Sequence, residues 1–240
     1  MGKTEIAKVM ASALDRELVR LQCYEGLDES KALYEWNYQK QLLSIQVQMN
    51  RQDPDELTRS LFGDEYLLER PLLRSIRSEK PVVLLIDEID KADLEFPNDL
   101  LWELDRMEFH IPETGRTVRA NHRPVVIITS NAEKELPDAF LRRCVFHYIE
   151  FPDKELMEDI VRVHYPDIDS RLLDQVLEAF YKIRNLPQIK KKPSTSEIID
   201  WIQALQHGDV DVRRIVREVP YLGVLLKKNE DIDTLRRNWR

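Results

Sequence analysis

The chain has 240 residues with 36 Lys plus Arg against 44 Asp plus Glu, a net charge of −8; it can bury one large domain, or a main domain with a smaller one attached, and the acidic balance disfavours non-specific attraction to nucleic acid or anionic lipid. Its longest apolar run, around 81–86, is far short of the roughly 20 residues of a membrane helix, and the start lacks a signal-peptide core, so a soluble, cytoplasmic protein is expected. Cys23 and Cys144 stand far apart, and neither they nor the five scattered His show ligand spacing, which argues against a disulfide framework or a zinc site.

Residues 2–4, Gly-Lys-Thr, match the end of the phosphate loop G-x-x-x-x-G-K-[ST], without the first glycine. From Thr4 the apolar residues Ile6, Val9, Met10, Ala13 and Leu14 fall on one helix face, which sets Lys3 and Thr4 at a helix N-terminus, where a phosphate binds. The stretch 17–24 reads as a strand, and 28–50 as a helix with Leu33, Trp36, Leu42, Leu43 and Ile45 inward. The charged run 50–59, broken at Pro54, reads as an exposed connection.

"PVVLLIDEID" at 81–90 is the clearest signal, a β-branched and leucine run ending in acids, as in a strand buried on both faces of a parallel sheet. Its C-terminal end carries Asp87 and Glu88, and ligands bind at that end of open α/β sheets. A helix follows at 96–108 with Leu100, Leu101, Leu104 and Met107 as its stripe. Next comes a hairpin signature at 108–120, turning over Glu113 to Arg116. "PVVIITSN" at 124–131 reads as a second buried strand, and "VFHYIEF" at 145–151 as a third. Beyond Pro152 the pattern turns all-helical, with stripes over 153–164, 170–186, 194–206 and 210–226. The expected organisation is an α/β parallel-sheet core over 1–152 and a helical bundle over 153–240.

A lysine at a helix N-terminus, a neighbouring hydroxyl and a distant strand ending in Asp-Glu are what phosphoryl transfer needs. Lys3 would balance β- and γ-phosphate charge. Thr4 and Asp87 would serve Mg²⁺, which keeps several waters among its oxygen ligands, and Glu88 would polarise the attacking water. The alternative for Asp87 and Glu88 is a polar strand exit, although "DEIDKAD" carries four acids. Asn131 is either a turn residue or the side chain that holds the water near the γ-phosphate.

The order GKT, "VVLLIDEID", "VVIITSN" and "LPDAFLRRCVFHYIEF", followed by a helical lid, resembles the P-loop NTPases of the AAA+ ATPase class, and the hairpin at 108–120 looks like the MoxR branch. The resemblance makes Gly2, Lys3 and Thr4 the end of Walker A, Asp87 and Glu88 Walker B, and Asn131 sensor 1, with ATP and Mg²⁺ as ligands. Arg142 and Arg143 stand where such proteins keep the arginine finger; otherwise they are a solvated helix end. The resemblance further implies a homo-oligomeric ring, a hexamer, that remodels a protein partner, often one with a von Willebrand factor A domain. In place of sensor 2 the chain has "KPSTSEIIDW", where Ser194 and Glu197 fit a capping box; Lys192, or Arg213 and Arg214, remain alternatives. The first glycine of Walker A and the strand leading into it are missing, as in a fragment or a start assigned too late. That implies reduced ATP affinity and a sheet, without its first strand, that exposes an unpaired edge or is short by one strand. A non-catalytic scaffolding subunit with an incomplete ATP site is the alternative function, and a nucleic-acid motor is disfavoured by the charge.

Overall fold

The computed structural model describes residues 2–48, 60–208 and 210–239; the connection expected at 50–59 lies outside them. The described residues form two compact units, Gly2–His147 and Tyr148–Arg240.

The first unit is built on β4, Val82–Asp87, whose six residues are all buried. Burial on every side follows from its central place in a three-stranded sheet of order β1-β4-β7. β1, Glu17–Gln22, pairs parallel to it, with Val19 opposite Leu84 and Gln22 opposite Asp87. β7, Val125–Ile128, pairs parallel on the other side, with Ile86 opposite Ile128. Parallel neighbours need crossovers. One contains α2 (Glu29–Leu33), β2 (Tyr34–Trp36), α3 (Tyr38–Gln48), β3 (Leu67–Glu69) and α4 (Pro71–Arg77), and the other contains α5 (Phe96–Arg106) and the hairpin of β5 (Glu108–Ile111) and β6 (Arg116–Arg119). Val19, Leu21, Leu84, Ile86, Phe96 and Phe140 are among the residues that fill the core between these elements. The hairpin forms where its alternating arms predict it, with Gly115 at φ 63° in the turn.

Several expectations are corrected here. α1, Lys3–Ala13, packs against β1 and β4 through Ala7 and Ala11, not through its larger apolar residues. Two alanines one turn apart let the helix approach closely, and this leaves Ile6, Val9, Met10 and Leu14 exposed. The helix expected over 28–50 is interrupted because Tyr34–Trp36, rich in aromatic strand formers, pairs antiparallel with Leu67–Glu69. Leu33 and Trp36 are buried as expected, whereas Leu42 and Leu43 face out. β7 is half-buried along its length, because it lies at the edge of the sheet. Residues 145–151 form no strand: an extended chain needs a hydrogen-bonded neighbour, and no described strand is paired with them. Val145, Phe146, Tyr148 and Ile149 are exposed.

The second unit is helical: α7 (Lys154–His164), α8 (Ser170–Arg184), α9 (Thr195–His207), α10 (Ile215–Glu218), α11 (Leu222–Leu225) and α12 (Asn229–Asn238). Its helix starts are closed by side chains that accept otherwise unpaired N–H groups. Asp153 accepts from Leu156 and Asp169 from Leu172, while Ser194 and Glu197 form the capping box their spacing predicts. The single helix expected over 210–226 is broken, with Val219 and Tyr221 in left-handed conformations on either side of Pro220. A proline lacks the N–H a continuing helix needs. Phe180, Trp201, Ile202 and Leu177 lie at the centre of this unit's core, and the Trp201 indole donates to Pro220 O at 2.6 Å. Among the described residues no helix is long and apolar enough to cross a membrane.

Candidate functional site

Where β4 and β7 end, side chains from four segments meet. Asp87 closes β4 and is almost fully buried. Thr4, in the first turn of α1, sits with its hydroxyl 3.2 Å from both Asp87 carboxylate oxygens. The Thr129 hydroxyl, just past β7, donates to Asp87 Oδ1 at 2.5 Å and accepts from the Glu88 N–H at 2.9 Å. Arg20, from the middle of β1, donates to Asp87 Oδ2 through Nε at 3.1 Å and Nη2 at 2.5 Å. Burial disfavours the Asp87 anion, but the donors from Thr129, Arg20 and Thr4 outweigh it and hold this carboxyl below the usual aspartate value.

Glu88 turns the chain out of the strand at φ 57° and ψ 51°, a left-handed conformation uncommon for a residue with a Cβ. Its carboxylate accepts from Lys91 Nζ at 2.8 Å, Gln22 Nε2 at 2.9 Å and Asn131 Nδ2 at 3.0 Å. The Lys91 ammonium is the main reason its ionisation shifts below the usual glutamate range. Asn131 in turn accepts from Lys3 Nζ at 2.6 Å through Oδ1, and Lys3 also donates to Ser130 O at 2.7 Å. Beneath the polar cluster lies Cys23, whose thiol is pushed up to about 12 by burial and by the nearby carboxylates of Asp87, Asp90 and Glu88. It is a neutral core residue.

The cluster therefore joins an ammonium and a hydroxyl at a helix N-terminus to two ionised carboxylates and an amide at adjacent strand ends. A family defined by the AAA domain, dynein-related subfamily, matches residues 1–144. The chain belongs to this family. Of solved structures, the AAA protein is similar to NtrX from Brucella abortus in complex with ATP, with a TM-score of 0.48 and 13% identity over 98% of this chain. It spans about half of that NtrX chain, 51%. The ADP complex of NtrX gives a TM-score of 0.43 and 13% identity, covering 86% of this chain and 43% of the other. No curated protein matches.

Of the residues singled out in the AAA sequence, Lys3, Thr4, Asp87, Glu88 and Asn131 are brought together. Gly2 precedes α1 as its N-cap with φ −113°, and a Cβ added there would meet nothing within 4 Å, so no close approach within the described residues demands glycine. Arg142 and Arg143 are exposed at the end of α6, Asp138–Leu141. They differ in their bonds. Arg143 donates to Asp105 at 2.8 Å and to Ala139 O at 2.9 Å, whereas Arg142 has no side-chain partner among the described residues. Arg213 and Arg214 pair with Asp211 and Glu218 inside the helical unit.

Arg20, Gln22, Lys91, Asp90 and Thr129 escape the sequence reading. A signal for the first two exists: in "ELVRLQ" the polar residues Arg20 and Gln22 recur at period two opposite buried Val19 and Leu21, so they share a strand face. Only the register, which sets Gln22 beside Asp87, turns that face toward the acids. Thr129 reads as one more β-branched strand residue.

Among the described residues no group of three or more His, Cys, Asp or Glu is arranged to hold a metal ion. Mg²⁺ takes one or two protein oxygens and leaves the rest of its shell to water and phosphate. Thr4 Oγ1 and Asp87, 3.2 Å apart, are a hard-oxygen pair of this kind and fit it.

Proposed function

We propose that this AAA protein is an ATPase of the MoxR-like type, which works as a homo-oligomeric, hexameric ring in the cytoplasm and uses ATP hydrolysis to remodel a protein partner, such as one bearing a von Willebrand factor A domain. The observation that carries the reading is the bonded chain Lys3–Asn131–Glu88, set beside Thr4–Asp87, at the C-terminal ends of parallel strands. Phosphoryl transfer needs a cation, a water-activating carboxylate and metal-binding oxygens close together, and these bonds support that reading.

In this reading the triphosphate lies against the N-terminus of α1, where free N–H groups favour an anion, and Lys3 leaves Asn131 and Ser130 to neutralise phosphate oxygens. Thr4 and Asp87 would hold Mg²⁺, which when bound would draw charge from the phosphate oxygens. Glu88, ionised and held by Gln22 and Lys91, accepts a proton from the attacking water. Asn131 aligns that water. Arg142, without a side-chain partner among the described residues, is the better candidate of the arginine pair for a finger reaching a neighbouring subunit's ATP, since Arg143 is held by Asp105.

The test is Glu88→Gln, which keeps the shape and removes the base. Turnover should fall at least about 100-fold, while an ATP-induced rise in melting temperature persists. An unchanged rate means Glu88 is not the base. If the unsubstituted protein shows neither turnover nor a melting shift with ATP, a scaffolding role replaces the enzymatic one.

A further inference from the structure

Asp90 is 2% exposed, and no Lys or Arg side chain among the described residues forms an ion pair with it. Its carboxylate instead accepts backbone N–H groups from the loop after β7. Asn131 N approaches Oδ1 at 3.2 Å and Oδ2 at 3.1 Å, and Glu133 N approaches Oδ2 at 2.9 Å. Between these two amides stands Ala132 at φ 56°, a left-handed conformation that costs a residue with a Cβ on the order of 1 kcal/mol or more. Such a conformation persists only where its surroundings hold it, and Asp90 grips the backbone on both sides. Ser130 Oγ adds a bond from Ala132 N at 3.0 Å.

The grip has a direction. With the Asn131 backbone fixed, its side chain is presented to Lys3 and Glu88 together. The same helical turn, Ile89–Lys91, carries Lys91, which holds Glu88 from the other side. We infer that Asp90 is a positioning residue for Asn131: by clamping the amides of Asn131 and Glu133 it fixes the Asn131 amide group against Glu88, so that the water-aligning and proton-accepting groups keep one geometry through turnover. It acts through Asn131, and the inference rests on the ATPase reading above. A buried charge held by backbone amides and the Ser130 hydroxyl is a costly way merely to close a loop; here it sets one side chain at the site.

The experiment pairs amide hydrogen exchange with steady-state kinetics on Asp90→Asn, Asn131→Ala and the double variant. Asp90→Asn is nearly isosteric but turns one acceptor into a donor facing an N–H. Exchange at Asn131 and Glu133 should accelerate while β4 and α5 keep their protection, which also certifies the fold. kcat should fall about 10- to 100-fold with the Kd of a fluorescent ATP analogue changed less than about twofold, and the double variant should be no slower than Asn131→Ala alone. Losses that multiply in the double variant, or exchange unchanged at Asn131, overturn the inference; so does a loosened loop with undiminished kcat. If the unsubstituted protein has no turnover, the ATPase reading fails separately, and the exchange result still decides whether Asp90 holds Asn131.

Discussion

In the unit Gly2–His147 the polar groups converge: Lys3, Thr4, Asp87, Glu88, Asp90, Thr129 and Asn131 close on one sheet end, beside a core that includes Leu84, Ile86 and Phe96, while Ile6, Val9, Leu42, Leu43 and Phe146 stay in solvent. In the unit Tyr148–Arg240 the carboxylates are used differently. Its apolar residues gather into one core from Met157 to Leu235, and its buried or half-buried carboxylates are spent on backbone N–H groups, as Asp231 on Lys190 and Lys191, and Glu197 on Ser194. The contrast separates two uses of burial. In the helical unit burial supplies stability and hydrogen bonds merely complete it. In the sheet unit a core of its own supports a set of charges whose arrangement, not whose burial energy, is the product.

The contrast is tested most severely by Trp201→Ala. Trp201 is fully buried and its indole N–H is satisfied by Pro220 O. Truncation should therefore cost about 3–5 kcal/mol, read as a lower urea midpoint and as lost amide protection over Ser170–Arg184. A loss below about 1 kcal/mol would mean that the helical unit is not organised around this side chain.

A middle-sized effect concerns acid. Asp87, Glu88 and Asp90 all ionise below their usual ranges, so each favours the folded state above its unfolded pKa, and that contribution disappears as pH falls through the folded value. Stability of the sheet unit should thus stay flat from pH 7 to about pH 5 and then fall through and below the ordinary carboxylate range, near pH 4. Melting curves against pH would show it. A stability that instead rises as pH falls from 7 towards 5 would mean that a carboxylate at the site is raised rather than depressed, because the folded state would then bind the extra proton, and the ionised cluster described above would be wrong.

The contrast also explains which parts are legible in the sequence. β4 announces itself because burial on both faces leaves only apolar residues, and α8 because its stripe from Leu172 to Ile183 has one partner core. Lys3, Thr4, Asp87, Glu88 and Asn131 are legible as a set because each closes or opens an element at one sheet end. Arg20, Gln22 and Asp90 are not: their roles depend on strand register and on a backbone amide three-dimensionally near but about 40 residues away, which no local pattern records. α1 is misread for a related reason. Periodicity finds the apolar face, but the sheet takes the alanine face, since close approach outweighs side-chain size there.

The smallest expected effect tests the misread segment itself. "VFHYIEF" has the composition of a buried strand, yet Phe146 is 70% exposed and Val145 wholly so. Apolar composition alone contributes no stability; only area removed from water does. Phe146→Ser should therefore change the unfolding free energy by no more than about 0.5 kcal/mol, as for other surface substitutions, measured by urea unfolding of the whole protein. A loss of about 2 kcal/mol or more would mean that the ring is covered in solution, and the exposed reading of this segment would fail. An intermediate loss that grows with protein concentration would attribute the cover to another copy of the chain, because only an intermolecular contact makes apparent stability depend on concentration.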